Sequence, residues 1–194
     1  GEKEFKSAIS GINKDLTVLK SALEKNKSEF ETNGKSIEAL NDKLKILSKQ
    51  YDTQKSKTDT LKAALENAQK NYKSCGEKIE ELKTALNAAE KEMEEMKESS
   101  SETAESIEKQ NKKIADLKEA LNKTEKSYQT AENKVKDWQT SLNKAEAELN
   151  KTKKAIDDTE SEVENFTFST EKAEEDEGRI CRLEKRGRRG QCHA

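Results

Sequence analysis

His193 is the only histidine of the chain, and it directly follows Cys192 near the end of the sequence. Histidine and cysteine are the side chains most often used as general bases, nucleophiles and metal ligands. Cys181, Cys192 and His193 together offer at most three ligands, one short of a closed structural zinc site, so no metal is expected. There is no P-loop and no G-x-G-x-x-G for a nucleotide cofactor. Paired carboxylates such as Glu94/Glu95 and Asp157/Asp158 are frequent, but a solvated helix face carries them equally well. These residues predict no catalytic site, cofactor or small-molecule substrate, and the chain is expected not to be an enzyme.

The remaining chemistry is one of charge and of covalent closure. Arginine is absent from residues 1–178, and then Arg179, Arg182, Arg186, Arg188 and Arg189 arrive together with Lys185, just after Glu174, Glu175, Asp176 and Glu177. Arginine suits anionic surfaces because its planar fork binds phosphate or sulfate bidentately. Glycines at 187 and 190 leave the segment between Cys181 and Cys192 flexible enough to close. A disulfide over so short a loop would contribute roughly 2–3 kcal/mol. The expectation is a Cys181–Cys192 bond, a free buried Cys75, and a basic tail that meets glycan, nucleic acid or lipid head groups. A disordered basic tail pairing with its acidic neighbour, or a piece of a different module, fits the same residues.

Four N-x-S/T sequons stand at Asn26, Asn122, Asn150 and Asn165. Glycosylation candidates are Asn122, Asn150 and Asn165, and together with a disulfide they lean the reading towards a secreted or surface protein.

These residues need a scaffold, and the composition restricts it. The chain is 40% charged, 30% hydrophobic and 4% aromatic, without proline. Ordinary domains are roughly 45–50% apolar, so a thick core is excluded, while Ala, Leu, Glu and Lys all favour helix. The 38 basic residues nearly balance the 40 acidic ones, giving a net charge of −2 and no global field for polyanions. No apolar run approaches the ~18 residues of a membrane span.

Leu-Lys-x-Ala-Leu recurs from Leu19, Leu61, Leu82 and Leu117, and Trp138-Gln-Thr-Ser-Leu142 is a looser copy. The spacings of 42, 21, 35 and 21 are all multiples of seven. With Leu19 at heptad position d, 21 of the 23 a positions from Ile9 to Val163 are apolar, as are 16 of the 24 d positions from Phe5 to Phe166. A straight 3.6-residue helix drifts about 20° per heptad, so a stripe of this length demands a supercoiled partner. Polar d residues (Asn26, Asn33, Gln54, Thr103, Gln110, Thr124, Thr152, Thr159) lower stability but set register. The pattern resembles myosin rods, tropomyosins and many surface coiled coils as a class, and no motif narrows it further.

Helix-weakening sites fall at Asn33-Gly34, Cys75-Gly76 and Glu98–Glu102. Ser74 with Glu77 and Ser99 with Glu102 match the capping box. The predicted organisation is an N-terminal helical arm (1–35), two coiled-coil helices (36–98 and 104–168) around a turn at 99–103, an acidic linker (169–178) and the basic tail (179–194). Either an extended rod or an antiparallel hairpin satisfies the pattern. Position e is Lys-rich early (Lys20, Lys27, Lys55, Lys62, Lys83, Lys97) and Glu-rich late (Glu125, Glu132, Glu146, Glu160). That distribution favours antiparallel pairing of e with e, whereas the unbroken heptad phase favours the rod. Function follows in outline: a structural or protein–protein interaction protein acting as spacer, scaffold or adhesin-like stalk. Its partner would be itself or another coiled-coil helix. The alternatives are an anion-binding effector working through the tail, and the stalk of a larger filament or receptor.

Overall fold

The computed structural model describes the backbone of residues 1–99 and 103–190, and the side chains of those residues except 174, 176, 178 and 180–190. It is all-helical. Three helices follow one another: α1 (Glu2–Asn33), α2 (Ile37–Glu98) and α3 (Ala104–Gly190). Among the described residues only Gly1, 34–36, Ser99 and Thr103 lie outside them, and none forms a strand.

The helix ends have local causes. Gly34 adopts φ +80°, the left-handed conformation in which a Cβ is strained, and its N–H donates to the Phe30 carbonyl at 3.0 Å. Ser36 then caps α2: its hydroxyl accepts from the Ala39 N–H at 3.2 Å, and its carbonyl accepts from the Leu40 N–H at 3.1 Å. Thr103 caps α3, while Glu102, the expected capping-box partner of Ser99, lies outside the described residues. Thr103 Oγ1 accepts from the Ser106 N–H and Ser106 Oγ from the Thr103 N–H, both at 3.2 Å. This is the reciprocal geometry of a capping box with Ser in place of Glu.

As expected for a helix over 36–98, α2 runs through Cys75-Gly76. There a Cβ at Gly76 would lie 3.4 Å from Cε2 of Tyr128. Residues 169–178, the acidic segment, continue α3. Without proline, Glu, Lys and Ala there continue the helical hydrogen bonding.

The chain divides into two compact units. The first comprises Gly1–Phe5 and Asp59–Lys144. Its buried side chains are Leu61, Ala64, Leu65, Ala68, Ile79, Leu82, Ala89, Met93, Ala131 and Leu142, with Gln110 the buried polar one among the described residues. The second comprises Lys6–Thr58 and the part of α3 from Ala145. It buries Leu16, Leu40, Leu47 and Ala145, together with Asn26, Gln50, Gln54, Thr58, Thr152 and Thr159.

Candidate functional site

The feature that the sequence builds most consistently is the apolar stripe. From Phe5 to Phe166 all described a positions are buried or half-buried, and so are all described d positions except Asn33 and Thr103, which flank the two interruptions of helix. Among the described residues, those buried outside a and d are Gln50 and Ala64, both at g. The largest exposed apolar side chains, Val18 and Phe168, stand at c and f.

In the first unit, contacts across the stripe join α2 to α3 with residue numbers that fall on one helix as they rise on the other. Tyr72 stacks on Tyr128, with ring centroids 4.4 Å apart and an interplanar angle of 27°, and the two hydroxyls are hydrogen-bonded. That bond, followed by burial, pushes the Tyr72 phenol up to about 12. Nearer the α2–α3 connection, Gln110 is buried at d but satisfied. Its Nε2 donates to the Ala89 carbonyl at 2.8 Å and to Glu92 Oε2 at 3.0 Å. Lys113 Nζ donates to the same Glu92 oxygen at 3.0 Å. These bonds, Lys113 first, hold the Glu92 carboxyl below its ordinary range. Lys118 pairs with Glu90 at 2.8 Å, and Lys134 with Glu2 at 2.6 Å.

In the second unit Glu162 of α3 lies 3.5 Å from Lys35, just before α2, and 3.9 Å from Lys43 of α2. α1 packs there too. Asn26 Nδ2 donates to the Ala39 carbonyl at 3.1 Å. Asn13, Leu16, Thr17 and Lys20 of α1 close a cavity of about 300 Å³ with Gln54, Lys57, Ala145 and Glu148. The Oε1 atoms of Gln50 and Gln54 are buried without a hydrogen-bond partner.

Ion pairs run along both edges of the stripe. Lys113–Glu92 and Lys43–Glu162 join g to g, and Lys118–Glu90 joins e to e with the acid on the earlier helix. Cys75 carries a free thiol and is half-buried rather than buried. It lines a groove of about 470 Å³ together with Lys123, Lys126 and Ser127.

The other sequence candidates are not gathered into one place. Asn122, Asn150 and Asn165 are exposed along α3, and Asn26 is buried. Arg179 is exposed on α3. The side chains of Cys181, Arg182, Lys185, Arg186, Arg188 and Arg189 lie outside the described residues, as do Cys192 and His193 altogether, and with them the expected disulfide. Among the described residues no group of three or more His, Cys, Asp or Glu could hold a metal ion. No described helix is long and apolar enough to cross a membrane.

The sequence reading missed the Tyr72–Tyr128 pair and the role of Gly76. A signal was present, since both tyrosines occupy a positions and lie equally far from residue 100. No protein-family model, curated protein or solved structure matches this chain.

Proposed function

We propose that the chain is an antiparallel coiled coil in which α2 folds back on α3 as a hairpin and α1 adds a third strand in the second unit. Its work is structural and non-enzymatic, as a spacer, scaffold or stalk that engages other helices through or beside the seam. The observation that carries this reading is the burial pattern: described a and d positions are covered from Phe5 to Phe166, apart from the two beside the breaks. Contacts such as Tyr72–Tyr128 and Glu92–Lys113 support the fold-back. The exposed charged faces, with pairs such as Lys70–Glu66 at 2.8 Å within one helix, suit a solvated rod surface and contribute little to stability.

The test is a distance. Glu81 and Glu119 are both exposed, at c and f. Labels at Glu81→Cys and Glu119→Cys, with the native cysteines replaced by serine, should lie within about 20 Å of each other in the hairpin. One continuous helix would hold them about 57 Å apart at 1.5 Å per residue. An energy-transfer or spin-label distance near the longer value would sink the hairpin.

The confinement of arginine to residues after 178 supports a second reading, in which the tail binds an anionic surface and the coil presents it. Deleting residues 179–194 should then abolish retention on a sulfated-glycan column while leaving helicity in place.

A further inference from the structure

The connection between α1 and α2 has two properties that a turn does not require. It is short, three residues from Gly34 to Ser36, and its left-handed conformation rests on Gly34 alone, at φ +80° with no other atom within 4 Å of where a Cβ would stand. It also preserves the heptad phase. Phe30 and Ile37 are consecutive a positions, Asn33 and Leu40 consecutive d positions, as though no turn intervened. A turn leaves the phase free, so an arbitrary connection would keep it about one time in seven, whereas a continuous coiled-coil helix keeps it by necessity.

We propose that α1 is an exchangeable arm whose partner is a second copy of this chain. Residues 34–36 straighten, α1 and α2 join as one helix, and each α1 takes the place on α2 and α3 that the other copy's α1 has left. This rests on the seam-pairing reading above and adds its partner. Every contact of α1 in the second unit is available again in the exchanged dimer, with Asn26 bonding to the other copy's Ala39 carbonyl. Reciprocal exchange of an identical element is self-complementary and closes as a two-fold dimer. The residues to be straightened include no proline, so nothing in them forbids helix. Release of α1 is made easier by what it covers. Gln54 is buried against α1 with its Oε1 unpartnered, and withdrawing the arm lets that oxygen reach water.

The experiment uses the full chain with Gly34→Ala and Ser36→Ala, which penalise the left-handed turn and remove the cap of α2. A left-handed alanine is disfavoured roughly tenfold, and a dimer straightens two turns. The dimer dissociation constant by sedimentation equilibrium should therefore fall about 100-fold below that of the unaltered chain. Inserting two glycines between Lys35 and Ser36 lengthens the turn and breaks the phase, so that chain should stay monomeric at full helicity. Exchange is read directly from Asn26→Cys with Ala39→Cys in a background where Cys75, Cys181 and Cys192 are serine. In the dimer formed by the Gly34→Ala, Ser36→Ala chain, oxidation should link two chains. A dimer whose bond stays within one chain would overturn the exchange. So would a helical Gly34→Ala, Ser36→Ala chain that keeps the mass of one copy at every concentration, and the seam-pairing reading would survive that result. Loss of helicity in the phase-breaking variant as well would count against the seam itself and overturn both.

Discussion

Tyr72 and Tyr128 form a pair whose chemistry can be read by pH. Their shared hydrogen bond keeps the Tyr72 proton in place to about pH 12, against an ordinary value of 10. Between those values the folded chain holds a proton that the unfolded chain has released, so stability falls as pH rises. The contribution is fully present below pH 10 and is lost through pH 12. Spectrophotometric titration should therefore show a tyrosine ionising at about pH 12. Tyr128→Phe should bring it back towards 10, and the melting temperature of that variant should fall less steeply between pH 10 and 12. The substitution leaves every other ionisable group in place, so the difference between the two proteins is the reading. If the two slopes coincide, the hydroxyl contact does not exist in solution. At this scale the heptad frame told which residues face inward but not which face each other. A seven-residue period specifies a face of one helix and carries no direction. The edge charges carry little weight in the choice, because exposed pairs are worth only about 0–1 kcal/mol, and both g-to-g pairs such as Lys43–Glu162 and e-to-e pairs such as Lys118–Glu90 occur.

Helix α2 shows how one small residue serves packing rather than a break. Glycine costs about 1 kcal/mol against alanine inside a helix, which is why Gly76 reads as an interruption in the sequence. Its cost is retained where the Tyr128 ring approaches the bare backbone. At 3.4 Å, a methyl group makes ordinary to close contact with that ring. Gly76→Ala is therefore expected to stabilise by up to about 1 kcal/mol in chemical denaturation. Gly76→Val, with two more carbons and a stiff χ1, should push Tyr128 off Tyr72 and destabilise by about 1–3 kcal/mol. The seam itself is tested by charge. Leu65 and Leu142 are 8% and 6% exposed, and Leu65→Asp or Leu142→Asp loses apolar burial and leaves a carboxylate to desolvate. Each should destabilise by at least about 3 kcal/mol, while Ala63→Asp, exposed at f, should stay within about 0.5 kcal/mol. Equal melting curves for Leu65→Asp and Ala63→Asp would show that the register is wrong. The element ends were less legible than the seam. The Thr103–Ser106 cap of α3 has serine where the capping-box pattern has Glu or Gln, so the pattern does not single it out in the sequence.

Across the whole chain, one heptad pattern supports two units of different character. The first unit buries aliphatic side chains along its seam, with Gln110 satisfied by Ala89 and Glu92. The second buries Asn26, Gln50, Gln54, Thr58, Thr152 and Thr159 beside only Leu16, Leu40, Leu47 and Ala145. Apolar burial contributes roughly 25 cal/mol per Å², whereas a buried acceptor left without a partner, as at Gln50 and Gln54, costs about 1–3 kcal/mol. Amides in a helix exchange with solvent through local opening, whose free energy follows the contacts that opening breaks. Hydrogen exchange followed by mass spectrometry should accordingly find weaker protection in residues 6–33 and 37–58 than in residues 79–93. The difference should amount to at least a tenfold faster exchange after correction for intrinsic rates, equivalent to about 1.4 kcal/mol. Gln54→Leu removes one unpaired acceptor at similar volume and should narrow that gap by slowing exchange in α1 and the start of α2. Equal protection in both units of the unaltered chain would mean that solvent or a partner satisfies those glutamines, and that the polar seam carries no penalty.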